Sequence, residues 1–134
     1  MTRRFARELA LQALFSIEIG RHDPAAVLAE SEAHRGIDEH RGFIKELVLG
    51  TLEDARECDV AISALLEGWT IERLPTVDRL VLRMALFEMR RHPQTPKAVV
   101  INEAVELAKK FSTQESGSFV NGVLSSAGRS VPDG

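Results

Sequence analysis

Three observations predict an all-α protein. Apolar residues recur at three- and four-residue spacings along almost the whole 134-residue chain, no run alternates cleanly with a period of two, and caps and breakers cut the pattern into about six or seven helix-length pieces. The length fits a single domain over residues 1–134 with one core. With 44% hydrophobic and 28% charged residues, the composition is that of a soluble globular protein rather than a disordered or membrane one.

The first helix is read from RRFARELALQALF. At roughly 100° per residue, Phe5, Ala6, Leu9, Ala10, Ala13, Leu14 and Ile17 share one broad apolar face, and Arg4, Arg7, Glu8, Leu11, Gln12 and Phe15 fall on the opposite side. Asp23-Pro24 starts a second helix, with a capping carboxylate followed by a proline where no amide hydrogen is needed. Asp38 is placed to cap a long helix over about 39–67 that stops near Gly68. Thr76, after Pro75, caps a helix to about Arg91, which His92-Pro93 terminates. Within it, Val77, Leu80, Val81, Met84, Ala85, Leu86 and Phe87 leave only a narrow stripe of Arg79, Arg83 and Arg90, the pattern of a helix at the centre of a bundle. Thr95-Pro96 repeats the cap-proline signal. The nearest thing to a strand, Val99-Val100-Ile101, runs on into NEAVELAKKF, whose helical spacing wins by length. Ser112 and Glu115 have capping-box spacing and begin a last helix to about Ala127, and the tail from about residue 129 is expected to fray. No repeat of fixed period and no Gly- or Ser-rich linker divides the chain.

Glu8 and Gln12 interrupt the apolar start, so no secretory leader is expected, and no stretch of about 18 apolar residues predicts a membrane span. The single cysteine, Cys58, allows no intramolecular disulfide and suits a reducing cytoplasm. Its neighbours Glu57 and Asp59 would raise its pKa, so it reads as an inert core or surface thiol.

Catalytic and metal chemistry find little support. Glu103 and Glu106 are three apart on one helix, without the histidine partners that a di-metal carboxylate site uses, and Glu106 with Lys110 reads as an exposed ion pair. His22, His34, His40 and His92 show no ligand spacing. There is no P-loop, dinucleotide fingerprint or nucleophile elbow. The two glycines of GSFVNG are expected to permit close helix packing. The chain reads as a binding module, with no cofactor, no metal and no enzymatic activity.

The anomaly is at the start. A chain of formal net charge -3 places Arg3, Arg4 and Arg7 within its first seven residues, together with its amino terminus, and Phe15 falls on the side of Arg4 and Arg7. Guanidinium groups beside a ring suit single-stranded nucleic acid, with cations on the phosphates and the ring stacking a base. Spacing alone equally allows Phe15 and Leu11 to cover a neighbouring helix, with the arginines as a solvated end.

Three blocks, RRFARELALQALF, VDRLVLRMALFEM and VVINEAVELAKKFSTQESGSFVNGVL, resemble the NusB family of bacterial transcription antitermination factors, and the likeness spans nearly the whole chain. The resemblance implies an all-helical fold of two small sub-bundles, no enzymatic activity, and binding of the boxA element of nascent ribosomal RNA with ribosomal protein NusE, in a complex on elongating RNA polymerase. It implies that Arg3, Arg4 and Arg7 meet RNA phosphates and that Phe15, where relatives usually carry tyrosine, and Phe119 contact RNA. Ser118 stands where many relatives have lysine or another large polar residue, which leaves out one cationic contact. Asp78 resembles the NusE-facing acid of the family and Glu115 another position linked to the complex, and either also reads as a helix-start acid. Asn102 and Glu103 read as structural. If three phosphates are engaged, log affinity should fall against log salt with a slope near -2, at roughly 0.7 per phosphate. Two other readings stand beside this one: a homodimeric scaffold without direct RNA binding, and an accessory domain acting with an RNA methyltransferase.

Overall fold

A computed structural model describes residues 2–34 and 36–132. Seven α-helices occupy it: α1 (Arg3–Ile19), α2 (Pro24–Glu32), α3 (Arg41–Glu53), α4 (Ala55–Ser63), α5 (Thr76–Arg91), α6 (Lys97–Phe111) and α7 (Gln114–Gly128). Two 3-10 turns, Asp38–His40 and Ile71–Arg73, precede α3 and α5, and there is no strand among the described residues.

The chain divides into two compact units, residues 1–53 and 54–134. In the first, α1 packs against α2 and α3, and Ala6, Ala10, Leu14, Ile44, Leu47 and Val48 are buried among them. In the second, α5 touches α4, α6 and α7, and α6 lies along α7. Helix α5 has the central place that its sequence predicts: Leu80, Val81, Leu82, Met84, Ala85, Leu86, Phe87 and Met89 are all buried, and the arginines of its stripe are half-buried.

Several helix ends follow the sequence. The Asp23 carboxylate accepts from the Ala26 amide (3.2 Å) ahead of Pro24, and α5 ends at Arg91 before His92. Others shift. The expected long helix over 39–67 is broken at Asp54 into α3 and α4, after a 3-10 turn at Asp38–His40. No glycine or proline marks that break. Asp54 instead turns its carboxylate to Arg91 (3.0 Å), and α4 ends at Ser63, well short of Glu67, before Gly68 at φ +73°. Pro75 and Pro96 hold the cap positions of α5 and α6, so Thr76 begins its helix and Thr95 stays outside. Thr113, not Ser112, caps α7 by accepting from the Ser116 amide (3.1 Å).

The expected close packing at both glycines of GSFVNG holds at one. A Cβ on Gly117 would meet the Lys109 side chain of α6 at 2.7 Å, whereas a Cβ on Gly122 would meet nothing within 4 Å. The expected Glu106–Lys110 pair gives way to Glu106–Lys109 (3.9 Å), with the Lys110 ammonium 5.4 Å over the Phe111 ring. The tail does not fray at once. Val131 is buried, and the Lys97 ammonium donates to the carbonyls of Gly128 (2.9 Å) and Val131. Asp133 and Gly134 of the predicted frayed tail, and the amino terminus at Met1, lie outside the described residues.

Candidate nucleic-acid interface

The amino-terminal candidates ride on α1, whose start is fixed by the Thr2 hydroxyl accepting from the Phe5 amide (3.1 Å). Arg3 and Arg4 are exposed in its first turn. The Arg3 guanidinium lies 3.6 Å over the centre of the Phe43 ring of α3. A guanidinium stacked this way keeps its in-plane N–H groups free to point outward, the geometry that suits phosphate oxygens.

Arg7 departs from the expected outward placement. It is only 5% exposed, and its guanidinium lies 5.3 Å from the same Phe43 ring. Glu8 and Leu11, assigned to the same outward side, are buried too, and Phe5, assigned to the core, is 36% exposed. The cause is packing: α2 and α3 both lie against α1, so most of its circumference is covered rather than half. A flat, weakly hydrated guanidinium tolerates such a place when a ring lies beneath it.

Phe15 is 40% exposed, too much for a ring that only fills a core. Phe5 is set edge-on to His34, with ring centres 5.6 Å apart. Between α1 and α2 lies a cavity of about 240 Å³ lined by Gln12, Ser16, Glu30, Ser31 and His34 among others.

The carboxy-terminal candidates meet in the second unit. Asp78, in the first turn of α5, is only 4% exposed, and one of its carboxylate oxygens accepts from the Ser116 hydroxyl of α7 (2.9 Å). The other oxygen is shielded from solvent and has no hydrogen-bond partner. Ser116 also meets the hydroxyls of Ser112 and Thr113, each at 3.0 Å, so the starts of α5 and α7 are tied by a chain of short polar side chains. Phe119, three residues beyond Ser116, is half-buried. It lines a cavity of about 210 Å³ together with Trp69, Arg73, Leu74, Pro75 and Asp78. Glu115, the residue before Ser116, is exposed.

Two residues beside the candidates were missed in the sequence. Phe43 reads as one more apolar residue of GFIKEL, and only the fold sets it beneath two arginines. Trp69 could have been singled out, being the sole tryptophan of the chain and next to Gly68. It is 60% exposed. Among the described residues, no group of three or more His, Cys, Asp or Glu could hold a metal ion, and no helix is long and apolar enough to cross a membrane.

The model of the NusB family matches residues 4–129. The chain belongs to the NusB family. The transcription antitermination protein NusB of Geobacillus kaustophilus is 50% identical over 125 residues, which cover 93% of this chain and 94% of that protein. Among solved structures, T. maritima NusB superposes with a TM-score of 0.88 at 34% identity, covering 98% of this chain and 93% of its own. A crystal structure of the antitermination factors NusB and NusE in complex with dsRNA superposes with a TM-score of 0.80 at 27% identity, covering 96% of this chain and 98% of that one. The match runs through all seven helices.

Proposed function

We propose that this chain is an RNA-binding transcription antitermination factor that takes the boxA element of nascent ribosomal RNA together with ribosomal protein NusE and joins the elongating RNA polymerase complex. The observation that carries the reading is the likeness, over 96% of the chain, to a NusB solved together with NusE and RNA. It works by assembly, without catalysis, and in the cytoplasm where transcription takes place.

Within this reading Arg3 and Arg4 meet phosphates, and Phe15 stacks a base from the same helix. Arg7 acts beneath them, holding the Phe43 ring on which Arg3 lies. Phe119 adds an aromatic contact from α7. Asp78 and Glu115, at the starts of α5 and α7, serve the protein partner. The exposure of Arg4 and of the Phe15 ring supports this division of labour.

Titration of labelled boxA RNA into the chain, with and without NusE, tests the proposal. Binding that tightens when NusE is present is the expected result. Absence of RNA binding in both arms would overturn it, and a homodimer that persists on gel filtration regardless of RNA would favour the scaffold reading.

A further inference from the structure

We propose that Phe43 is a positioning residue for RNA binding: its ring holds the Arg3 guanidinium ready for a phosphate, so that lysine cannot take the place of Arg3. The inference rests on the RNA-binding reading above and adds to it a residue of α3 that acts through α1 without touching RNA.

The start of α1 is built against its own stability. Arg3 and Arg4 stand in the first turn, where the positive end of the helix dipole disfavours cations, and no acidic residue of that turn offsets them. Arg7, one turn beyond Arg3, adds a like charge at the unfavourable i,i+4 spacing. To this crowded positive end the fold brings an aromatic ring from the first turn of α3. Phe43 is 7% exposed, and Ile44 and Leu47 beyond it are buried in the same unit, so close packing makes the ring a fixed platform. The Arg3 guanidinium lies 3.6 Å from the ring centre and that of Arg7 5.3 Å.

The two arginines use this platform differently. Arg7 is buried with the ring. Arg3 is exposed, and among the described residues no carboxylate pairs with it. A flat guanidinium laid on a fixed ring has given up much of its freedom before a ligand arrives. Its N–H groups lie in its own plane, clear of the ring, and can meet two oxygens of one phosphate together. Holding a binding group in its bound arrangement raises affinity by removing the cost of ordering it. An ammonium would be a strongly hydrated point charge on a flexible stem, with no plane to lay on the ring.

The intact chain and its variants are titrated with fluorescently labelled boxA RNA, read by anisotropy at several salt concentrations. Arg3→Lys keeps the charge, so the salt slope should hold while affinity falls about two- to five-fold, the worth of an exposed cation–π contact. Phe43→Met fills much of the same space without a π face. It should weaken binding by the same factor at unchanged slope, and the loss caused by Arg3→Ala should shrink by that factor in its background. Phe43→Tyr, which keeps the ring, should restore parental binding. In the free parent, the Arg3 side-chain protons should carry the upfield ring-current shift of a stacked group by nuclear magnetic resonance, and keep it when RNA is added. This last measurement decides the matter even if circular dichroism shows that Phe43→Met does not fold. Parental affinity in Arg3→Lys, equal losses from Arg3→Ala in both backgrounds, or no ring-current shift would each overturn the role of Phe43 and leave the RNA reading standing. No anisotropy change with the parent removes both readings together.

Discussion

The burial of Arg7 changes the expected salt dependence of RNA binding. Three arginines on α1 would give a contribution to the slope of log affinity against log salt near -2. With Arg7 only 5% exposed and laid over Phe43, the helix offers two phosphate contacts, Arg3 and Arg4, and its contribution becomes about -1.4 at roughly 0.7 per phosphate. Between about 50 and 200 mM salt, that share amounts to a sevenfold loss of affinity for two contacts, against about eighteenfold for three. The assay is anisotropy of labelled boxA RNA over that range, for the parent, for Arg3→Ala with Arg4→Ala, and for Arg7→Gln. The double variant should flatten the slope by about 1.4, whereas Arg7→Gln should leave the slope unchanged and lower the melting temperature, because it removes a guanidinium packed on a ring. A slope that flattens by about 0.7 in Arg7→Gln, or one untouched in the double variant, would refute the reasoning.

Phe15→Ala should weaken RNA binding by about 1–3 kcal/mol without unfolding the domain, since the ring is 40% exposed; calorimetric titration checks the first point and thermal melting the second. Burial pushes the Cys58 thiol up to about 11 from its ordinary 9.0, with Asp54 and Asp59 adding to the shift and Arg90 and Arg83 opposing it. The folded state therefore holds a proton that the unfolded chain gives up: this contribution to stability is intact below pH 9 and is lost as pH rises through about 11. Denaturant melts across that window should show a fall of order 2 kcal/mol that is absent in Cys58→Ala, and the absence of any tyrosine keeps phenol titration out of the comparison; equal falls in both proteins would contradict the assignment. The Arg83 guanidinium donates twice to Asp59 at 2.6 Å, joining α4 to α5 with both side chains largely covered. Asp59→Ala should cost about 1–3 kcal/mol in chemical denaturation, and a loss below about 0.5 kcal/mol would place the pair among inconsequential surface bridges.

Helical spacing carried most of the fold because it depends on local pattern. The central α5, the Asp23-Pro24 start and the end at Arg91 all come from residues whose preferences act within one or two turns. The break at Asp54 was illegible because it uses no breaker: the carboxylate is held by Arg91, 37 positions away. The cap shifts at Pro75, Pro96 and Thr113 are one-residue matters, where two adjacent residues are both competent and packing decides. At the candidate interface the spacing placed Phe15 and Arg4 outward but misplaced Arg7, Glu8 and Leu11. A two-faced helical pattern assumes one neighbour, and α1 has two within its own unit. The Asp78–Ser116 bond joins residues 38 apart and could not be read from spacing at all.

The ammonium of Lys97, in the first turn of α6, binds the carbonyl of Gly128 that ends α7 and that of Val131 just beyond it. Neutralising that nitrogen by acetylation would strip the last turn of its counter-charge and leave two carbonyl oxygens to find water instead. The far end of the helix that carries Phe119 is thus fastened by one nitrogen on a neighbouring helix.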